Sequence, residues 1–305
     1  MNYGIDLCEL IERFGDDQQC RNYLEHLRWP KGIECPKCKG TKVSSILKRD
    51  QYNCDAESCG HQFSVTAGTV FHDTHLPLTK WFLAVYLICQ SKKGMSAHQL
   101  HRMLKVHYRT AWYLCHRIRY AMAEEMPLEK LGGTVEMDET YVGGKKIGWG
   151  VYAGKKAKEV VIGIRQRGGE LRFFHAEDAK TGTLAKYIKE NISDDVDVIM
   201  TDEHPSYPWA LKKLDSKQPH KTINHSRKQY VDGDIYTNTV ESAFSLLKRG
   251  IMGTWHRVSA KHLAAYLDEM TWRFNNRKNQ FLFRDTMLKL IHSDNLEYKE
   301  LTRAA

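Results

Sequence analysis

The sequence predicts a mixed α/β protein built from several modules, and three observations carry that prediction. Four cysteines between positions 35 and 59 fall in two closely spaced pairs, residues 96–122 read as a short helix, a break and a longer helix, and from residue 134 apolar strands alternate with helices. The chain has 305 residues, 42% hydrophobic and 27% charged, which is globular material with enough length for two or three modules and a well-buried core. No apolar run approaches the length of a membrane span, the longest lying around 81–88. The opening MNYGIDLCELIERF carries acids early and lacks a basic n-region and a small-residue cleavage site, so an intracellular, cytoplasmic protein is expected, not a secreted or membrane one. Lys and Arg outnumber Asp and Glu by 46 to 37, a formal charge of +9. That excess favours polyanionic partners, because each phosphate neutralised releases a condensed counterion.

Residues 5–28 predict two short helices, with Leu7, Leu10, Ile11 and Phe14 on one apolar face and Cys20, Tyr23, Leu24 and Leu27 on the other. Trp29-Pro30 closes this segment, assigned to 1–32. The cysteines follow as Cys35-x2-Cys38 and Cys54-x4-Cys59. Paired thiolates two to four residues apart can grip one ion from a tight knuckle, and two knuckles complete the tetrahedron that Zn²⁺ accepts. Pro36 stiffens the first knuckle, Gly40 and Gly60 follow each pair, and 43–47 and 51–53 read as short ribbon strands. A ribbon over 33–66 has too little core to fold alone, so structural zinc would contribute directly to its stability. His61 is the alternative to Cys59 as fourth ligand, while Cys8, Cys20, Cys89 and Cys115 sit in helical apolar patterns and read as buried small hydrophobes.

Residues 77–126 form the next module. After an apolar helix over 78–90, Ser96 is placed to cap a short helix ending near Leu104, and a break at 105–108 leads to a helix over 110–122. That is the outline of a helix-turn-helix. Its second helix carries His107, Arg109, Trp112, His116, Arg117 and Arg119 with no acid before Glu124, which suits DNA contact through Arg109, Trp112 and Arg117. A solvated basic face on a structural helix pair is the alternative.

The α/β domain is assigned to 134–276, with a helical tail over 277–305. Strands are expected at 134–142, 158–165 and 171–176 as an antiparallel meander, followed by a helix at 181–191, a buried strand at 196–201, a helix at 207–214, a strand at 220–224 and helices at 239–250 and 259–275. The loop after the first strand holds Lys145, Lys146, Lys155, Lys156 and Lys158. Two strands end in acids. Thr134, Glu136 and Asp138 share one face, and Asp202 emerges from a dense apolar run, where an ionised side chain needs a cation or donors nearby. With Glu241, at the margin of a helical packing stripe, they could form an oxygen cage for Mg²⁺ or Mn²⁺. Lys248 lies seven residues on, on nearly the same side. Spacing alone leaves open the reading in which Asp138 and Asp202 merely cap turns. Glu136 is the rival ligand, and Glu139 and Glu203 read as solvated or outer residues.

Taken in order, these pieces resemble the DDE transposases of bacterial insertion sequences, in the zinc-ribbon subgroup called ISXO-two-like and related to the eukaryotic Merlin elements. The likeness rests on Leu27-Arg28-Trp29-Pro30 before Cys35-Pro36-Lys37-Cys38, Gln62-Phe63-Ser64-Val65, Gly68-Thr69-Val70-Phe71 and Leu76-Pro77-Leu78. It continues through Met137-Asp138-Glu139-Thr140-Tyr141-Val142-Gly143-Gly144-Lys145, Thr201-Asp202, Thr237-Asn238-Thr239-Val240-Glu241-Ser242, Leu247-Lys248-Arg249-Gly250 and Arg273-Phe274-Asn275. The resemblance implies a ribonuclease-H-like fold with Asp138, Asp202 and Glu241 as the catalytic triad. It also implies two Mg²⁺ or Mn²⁺ ions for phosphoryl transfer, with Asp138 bridging them and Asp202 and Glu241 each completing one side. Water attack would free a 3′-hydroxyl at the element end, and that hydroxyl would attack target DNA. Lys145, Lys146, Lys155, Lys156, Lys248 and Arg249 would hold phosphates of double-stranded DNA. The ribbon and the 96–122 helices would read terminal inverted repeats, in a homo-oligomer associated with the nucleoid. Two positions depart from the pattern: the second cysteine pair is spaced x4 where x2 is expected, and Tyr236 stands where His is expected. The competing functions are a catalytically silent DNA-binding regulator derived from a transposase, and a stand-alone ribonuclease-H-like nuclease, which leaves the ribbon without a purpose.

Overall fold

The structure, a computed structural model, describes residues 4–123, 129–143, 158–223 and 236–303. It divides into two units, Met1–Met122 with Lys278–Ala305, and Ala123–Arg277.

In the first unit, helix α1 (Leu7–Arg13) starts where the Asp6 side chain accepts from the Glu9 amide, and α2 (Asp17–Arg28) starts in a reciprocal capping box between Asp16 and Gln19. α1 has only two turns, and its inner line is Leu10 followed by Phe14. Leu7 and Ile11 remain exposed, and so does Cys8, a correction to the expectation that it is buried. Cys20, Cys89 and Cys115 are buried as expected. The ribbon is an antiparallel sheet of β1 (Val43–Ile46), β2 (Gln51–Cys54) and a third strand that the sequence did not announce, β3 (Gln62–Phe63). Its apolar centre is small: Cys35, Cys54 and Phe63, covered by Trp29, Tyr52 and a few partly buried neighbours.

α3 (Leu78–Gln90) is apolar on most sides and buried on most sides. Ser96 caps α4 (Ala97–Leu104) by accepting from the Gln99 amide, Lys105 ends it in the left-handed region at φ 53°, and α5 (Tyr108–Met122) follows. The helix-turn-helix outline is therefore present.

The second unit is built on a five-stranded sheet. Strands β4 (Thr134–Val142), β5 (Glu159–Gln166) and β6 (Leu171–Ala176) form an antiparallel meander, β5 turning into β6 through Gly168 at φ 73°. Helix α6 (Thr181–Asn191) then carries the chain to β7 (Val198–Thr201), which pairs parallel to β4, and α7 (Ser206–Lys213) leads to β8 (His220–Thr222), parallel to β7. The order β6-β5-β4-β7-β8, three antiparallel strands and then two parallel to the first, is the ribonuclease-H-like arrangement. α6 and α7 cover one face, over Val135, Met137, Ile162 and Ile199. α8 (Asn238–Gly250) and α9 (Ala260–Asn275) cover the other, over Val142, Val161 and Phe173. A single π turn, Ile251–Trp255, separates them.

α10 (Leu282–His292) and α11 (Tyr298–Thr302) belong to the first unit, where α10 packs on α2, α3 and α5. Among the described residues no helix is long and apolar enough to cross a membrane.

Candidate metal centres

The sulfur site is assembled locally. The Sγ atoms of Cys35, Cys38, Cys54 and Cys59 all lie within 4.8 Å of one another, with Cys35 to Cys59 at 3.8 Å and Cys38 to Cys54 at 3.5 Å. Four thiolates about 2.3 Å from one zinc ion would stand about 3.8 Å apart, so the set fits tetrahedral Zn²⁺. Gly40 lies close against the set: a Cβ there would meet the Cys38 sulfur at 3.2 Å, a tight contact, and its amide donates to that sulfur at 3.4 Å. Gly60 makes its turn at φ 55°. The fourth sulfur is that of Cys59; His61 instead stacks its ring on Phe63 and accepts the Cys54 amide at its carbonyl.

The oxygen site is assembled from distant segments. β4 and β7 are neighbours running the same way, but β7 ends at Thr201 while β4 continues to Val142. Asp138 therefore lies in mid-strand, a correction to the expectation that its strand ends there, and Asp202 lies just past the carboxyl end of β7, where open α/β sheets hold ligands. Glu136 stands opposite Met200, so two residues further along each strand bring Asp138 level with Asp202. Carboxylate oxygens of Asp138, Glu139 and Asp202 lie within 4.8 Å of one another. Asp138 accepts from the Glu139 amide at 2.8 Å and Asp202 from the His204 amide at 3.0 Å. Glu139 points to the other face of β4, where the buried Tyr207 hydroxyl of α7 donates to it at 2.7 Å. Burial first, then the charges of Asp202, Glu139 and Glu241, push Asp138 up to about 8. Burial and the charge of Asp202 also raise Glu139, against the Tyr207 hydrogen bond, and burial beside Glu139 and Asp138 holds Tyr207 well above its ordinary value. Hard, desolvated oxygens that repel one another are the donor set for Mg²⁺ or Mn²⁺, and a divalent cation would relieve the repulsion.

Glu241 sits in the first turn of α8. Its charge reaches Asp138, and its Oε1 accepts from the Thr237 hydroxyl at 2.9 Å, while the tight oxygen group holds Glu139 instead. Glu136 is fully buried, and both of its carboxylate oxygens take hydrogen bonds from protein groups. Sequence reasoning missed Gly163, opposite Asp138 in the β4–β5 ladder. A Cβ there would meet Phe244 at 2.7 Å and Val240 at 3.0 Å, so its missing side chain lets α8 lie directly on the strands beside Asp138. The available signal was a glycine inside the dense apolar run of β5.

The expected DNA-facing side chains divide. Arg109, Lys248 and Arg249 are exposed and Trp112 is partly buried. Arg117 is a correction: it is 4% exposed, donates to the His72 carbonyl and to Asn295, and lies over the rings of Trp81 and Tyr113, so its guanidinium is used inside its own unit. His116 and Arg119 are buried as well. Lys145, Lys146, Lys155 and Lys156 lie outside the described residues.

Known proteins match both sites. The profile of the ISXO2-like transposase domain matches residues 130–275, and that of a transposase zinc-ribbon domain matches residues 15–62. An uncharacterized protein in transposable element ISH50 of Halobacterium salinarum is 30% identical over 277 residues, covering 84% of this chain and 90% of the relative. A crystal structure of a pre-cleavage Mos1 transpososome aligns over 90% of this chain and 95% of that one at 12% identity, with a TM-score of 0.25, too low to carry an argument.

Proposed function

Because the chain belongs to the ISXO2-like transposase family, we propose that it binds the terminal inverted repeats of its element and catalyses divalent-metal-dependent DNA cleavage and strand transfer. The observation that carries this reading is the meeting of Asp138, in the middle of β4, with Asp202, just past the end of the parallel strand β7, in a pocket of charge that pushes Asp138 up to about 8. Asp138, Asp202 and Glu241 are the proposed catalytic acids. Two Mg²⁺ or Mn²⁺ ions bound there would supply Lewis-acid activation of water or a 3′-hydroxyl and neutralise charge on the scissile phosphate.

The residues of the chain hold and orient. Asp138 feels the charges of both Asp202 and Glu241, which suits a ligand shared between two ions. The His204 amide orients Asp202, and the Tyr207 hydroxyl turns Glu139 toward α7, which suits a supporting role for that acid. Lys248 and Arg249, exposed in the last turn of α8, are proposed phosphate contacts, together with Lys145, Lys146, Lys155 and Lys156. Exposed Arg109 and neighbouring Trp112 are the proposed contacts of the helix-turn-helix, which with the zinc ribbon would read the repeats. Two element ends must be joined in one complex, so a homo-oligomer acting on intracellular, nucleoid DNA is proposed.

The test is incubation of the protein with end-labelled element-end DNA and Mg²⁺, with nicks mapped to the nucleotide. The parent is expected to nick at the element boundary, and Asp202→Asn to bind the same DNA without cutting it. Equal cleavage by the two would remove Asp202 from the reaction, and binding without nicking by the parent would leave a silent regulator.

A further inference from the structure

Both carboxylate oxygens of the strand acid Glu136 are held by protein donors. It lies two residues before Asp138 on the same face of β4 and is fully buried. Its Oε2 accepts from the Thr239 amide at 3.0 Å, the Thr239 hydroxyl at 2.7 Å and the Val240 amide at 3.0 Å, and its Oε1 accepts from Arg167 Nε at 2.7 Å. Thr239 and Val240 are in the first turn of α8, whose amides have no intrahelical partners, and the N-cap residue Thr237 makes no side-chain cap of its own. A sheet carboxylate thus does the capping work that a preceding Ser or Asp usually does, and its charge also faces the positive end of the helix dipole.

Arg167 extends the arrangement. Its Nη2 donates to the Tyr236 carbonyl at 2.8 Å, just before α8, and its guanidinium lies 3.6 Å from the Tyr236 ring centroid. Arg165 holds the same turn from beside it, donating to the Thr239 carbonyl at 2.7 Å. With Gly163 admitting α8 against the strands, both the height and the approach of the helix are set from the sheet. Glu241 is the residue after Val240, whose amide Glu136 holds.

Resting on the functional reading above, we propose that Glu136, held by Arg167, is a positioning residue: it fixes the first turn of α8 to the strand bearing Asp138 and so sets where Glu241 stands relative to the two aspartates. Glu136 is not a metal ligand, because both of its oxygens are taken by protein donors. The position occupied by Tyr236 serves the same device, presenting a carbonyl and a ring to Arg167.

The test uses the full-length protein with Mn²⁺ and element-end DNA, in the parent, Glu136→Gln and Arg167→Lys, the second variant covering the case in which the first does not fold. Four quantities are read: amide hydrogen exchange at Thr239 and Val240, Mn²⁺ affinity, kcat for cleavage at saturating Mn²⁺, and KM for DNA. Glu136→Gln is expected to speed exchange at the two amides, weaken Mn²⁺ binding and lower kcat by about tenfold or more, and leave KM within about twofold, as loss of a group orienting metal ligands does. Arg167→Lys keeps the charge without the planar fork and is expected to give the same pattern at smaller size. Faster exchange with unchanged Mn²⁺ affinity and kcat would make the cap purely structural and overturn the proposal. Loss of Mn²⁺ binding with unchanged exchange would make Glu136 a ligand and also overturn it. A parent that neither binds Mn²⁺ nor cleaves would refute the functional reading and the positioning role together, an outcome told apart from the others by the behaviour of the parent alone.

Discussion

The ribbon and the carboxylate site both present metal-binding donors, and they are built in opposite ways. In the ribbon the donors lie within 25 residues of chain, Cys35 to Cys59, and the apolar centre beneath them is a handful of side chains. In the second unit the acids come from two neighbouring strands, 64 positions apart in the chain, and from a helix beyond, on a sheet covered on both faces. The ribbon is therefore expected to need zinc to fold, whereas the sheet folds around acids whose mutual repulsion a divalent ion would relieve. One metal would be part of a fold, and the other would relieve a charge repulsion that the fold already carries.

Removing zinc is expected to have the largest effect. Structural zinc contributes on the order of 10 kcal/mol to domains of this size, so Cys38→Ser or a strong chelator should unfold the ribbon. Amide exchange should rise across 33–66 and stay unchanged in β4–β7, and metal analysis should show the zinc lost. Retention of zinc by Cys38→Ser would break the ligand set, and unfolding of both regions together would break the contrast.

Asp138→Asn should act in the opposite direction. The folded state raises this carboxyl from 3.8 to about 8, so without divalent ions its contribution is most favourable below about pH 4 and is lost progressively as pH rises through about 8. The variant should thus be more stable than the parent at neutral and alkaline pH, by on the order of a few kcal/mol, with the gap closing toward pH 4. Added Mg²⁺ should raise the Tm of the parent and not that of the variant; thermal melts across pH with and without Mg²⁺ check both points.

Gly163→Ala sharpens the comparison from the packing side. Its methyl would press on Phe244 and Val240, costing about 1–3 kcal/mol in the second unit while zinc content stays at the parental value. A melt unchanged from the parent would mean that α8 does not need this approach. The smallest change expected is in Cys115→Ser, a buried thiol outside the sulfur cluster: a loss of about 1 kcal/mol with full zinc retention, measured by denaturant unfolding and metal analysis.

The same contrast explains what the sequence made legible. Cysteine knuckles are local, so Cys35, Cys38 and Cys54 can be read from spacing, whereas Cys59 stood against His61 until the four sulfurs were seen together. The strands and helices of the second unit follow from periodicity; the acids at 138 and 202 stood out as candidates, but spacing left turn-capping open, and Asp138 lies within β4, not at its end. The partner of Glu139, Tyr207, comes from another layer, and the cap formed by Glu136 depends on a helix about one hundred residues further along the chain, so neither contact is visible in the sequence. Arg117 misled for the same reason. A run of basic residues on α5 looks like a solvent face until residues 293–298 of the same unit, which include Asn295, are seen packed against that helix.

The proposed joint action of Asp138, Asp202 and Glu241 on divalent ions stands beside a tight oxygen group that contains Glu139 in place of Glu241. The most direct measurement is Mn²⁺ binding and element-end cleavage by Glu241→Gln and Glu139→Gln side by side. Glu241→Gln is expected to lose cleavage and at least one Mn²⁺ equivalent, while Glu139→Gln keeps both within a few-fold of the parent. Loss of both in Glu139→Gln, with Glu241→Gln behaving as the parent, would contradict it and give Glu139 the third place.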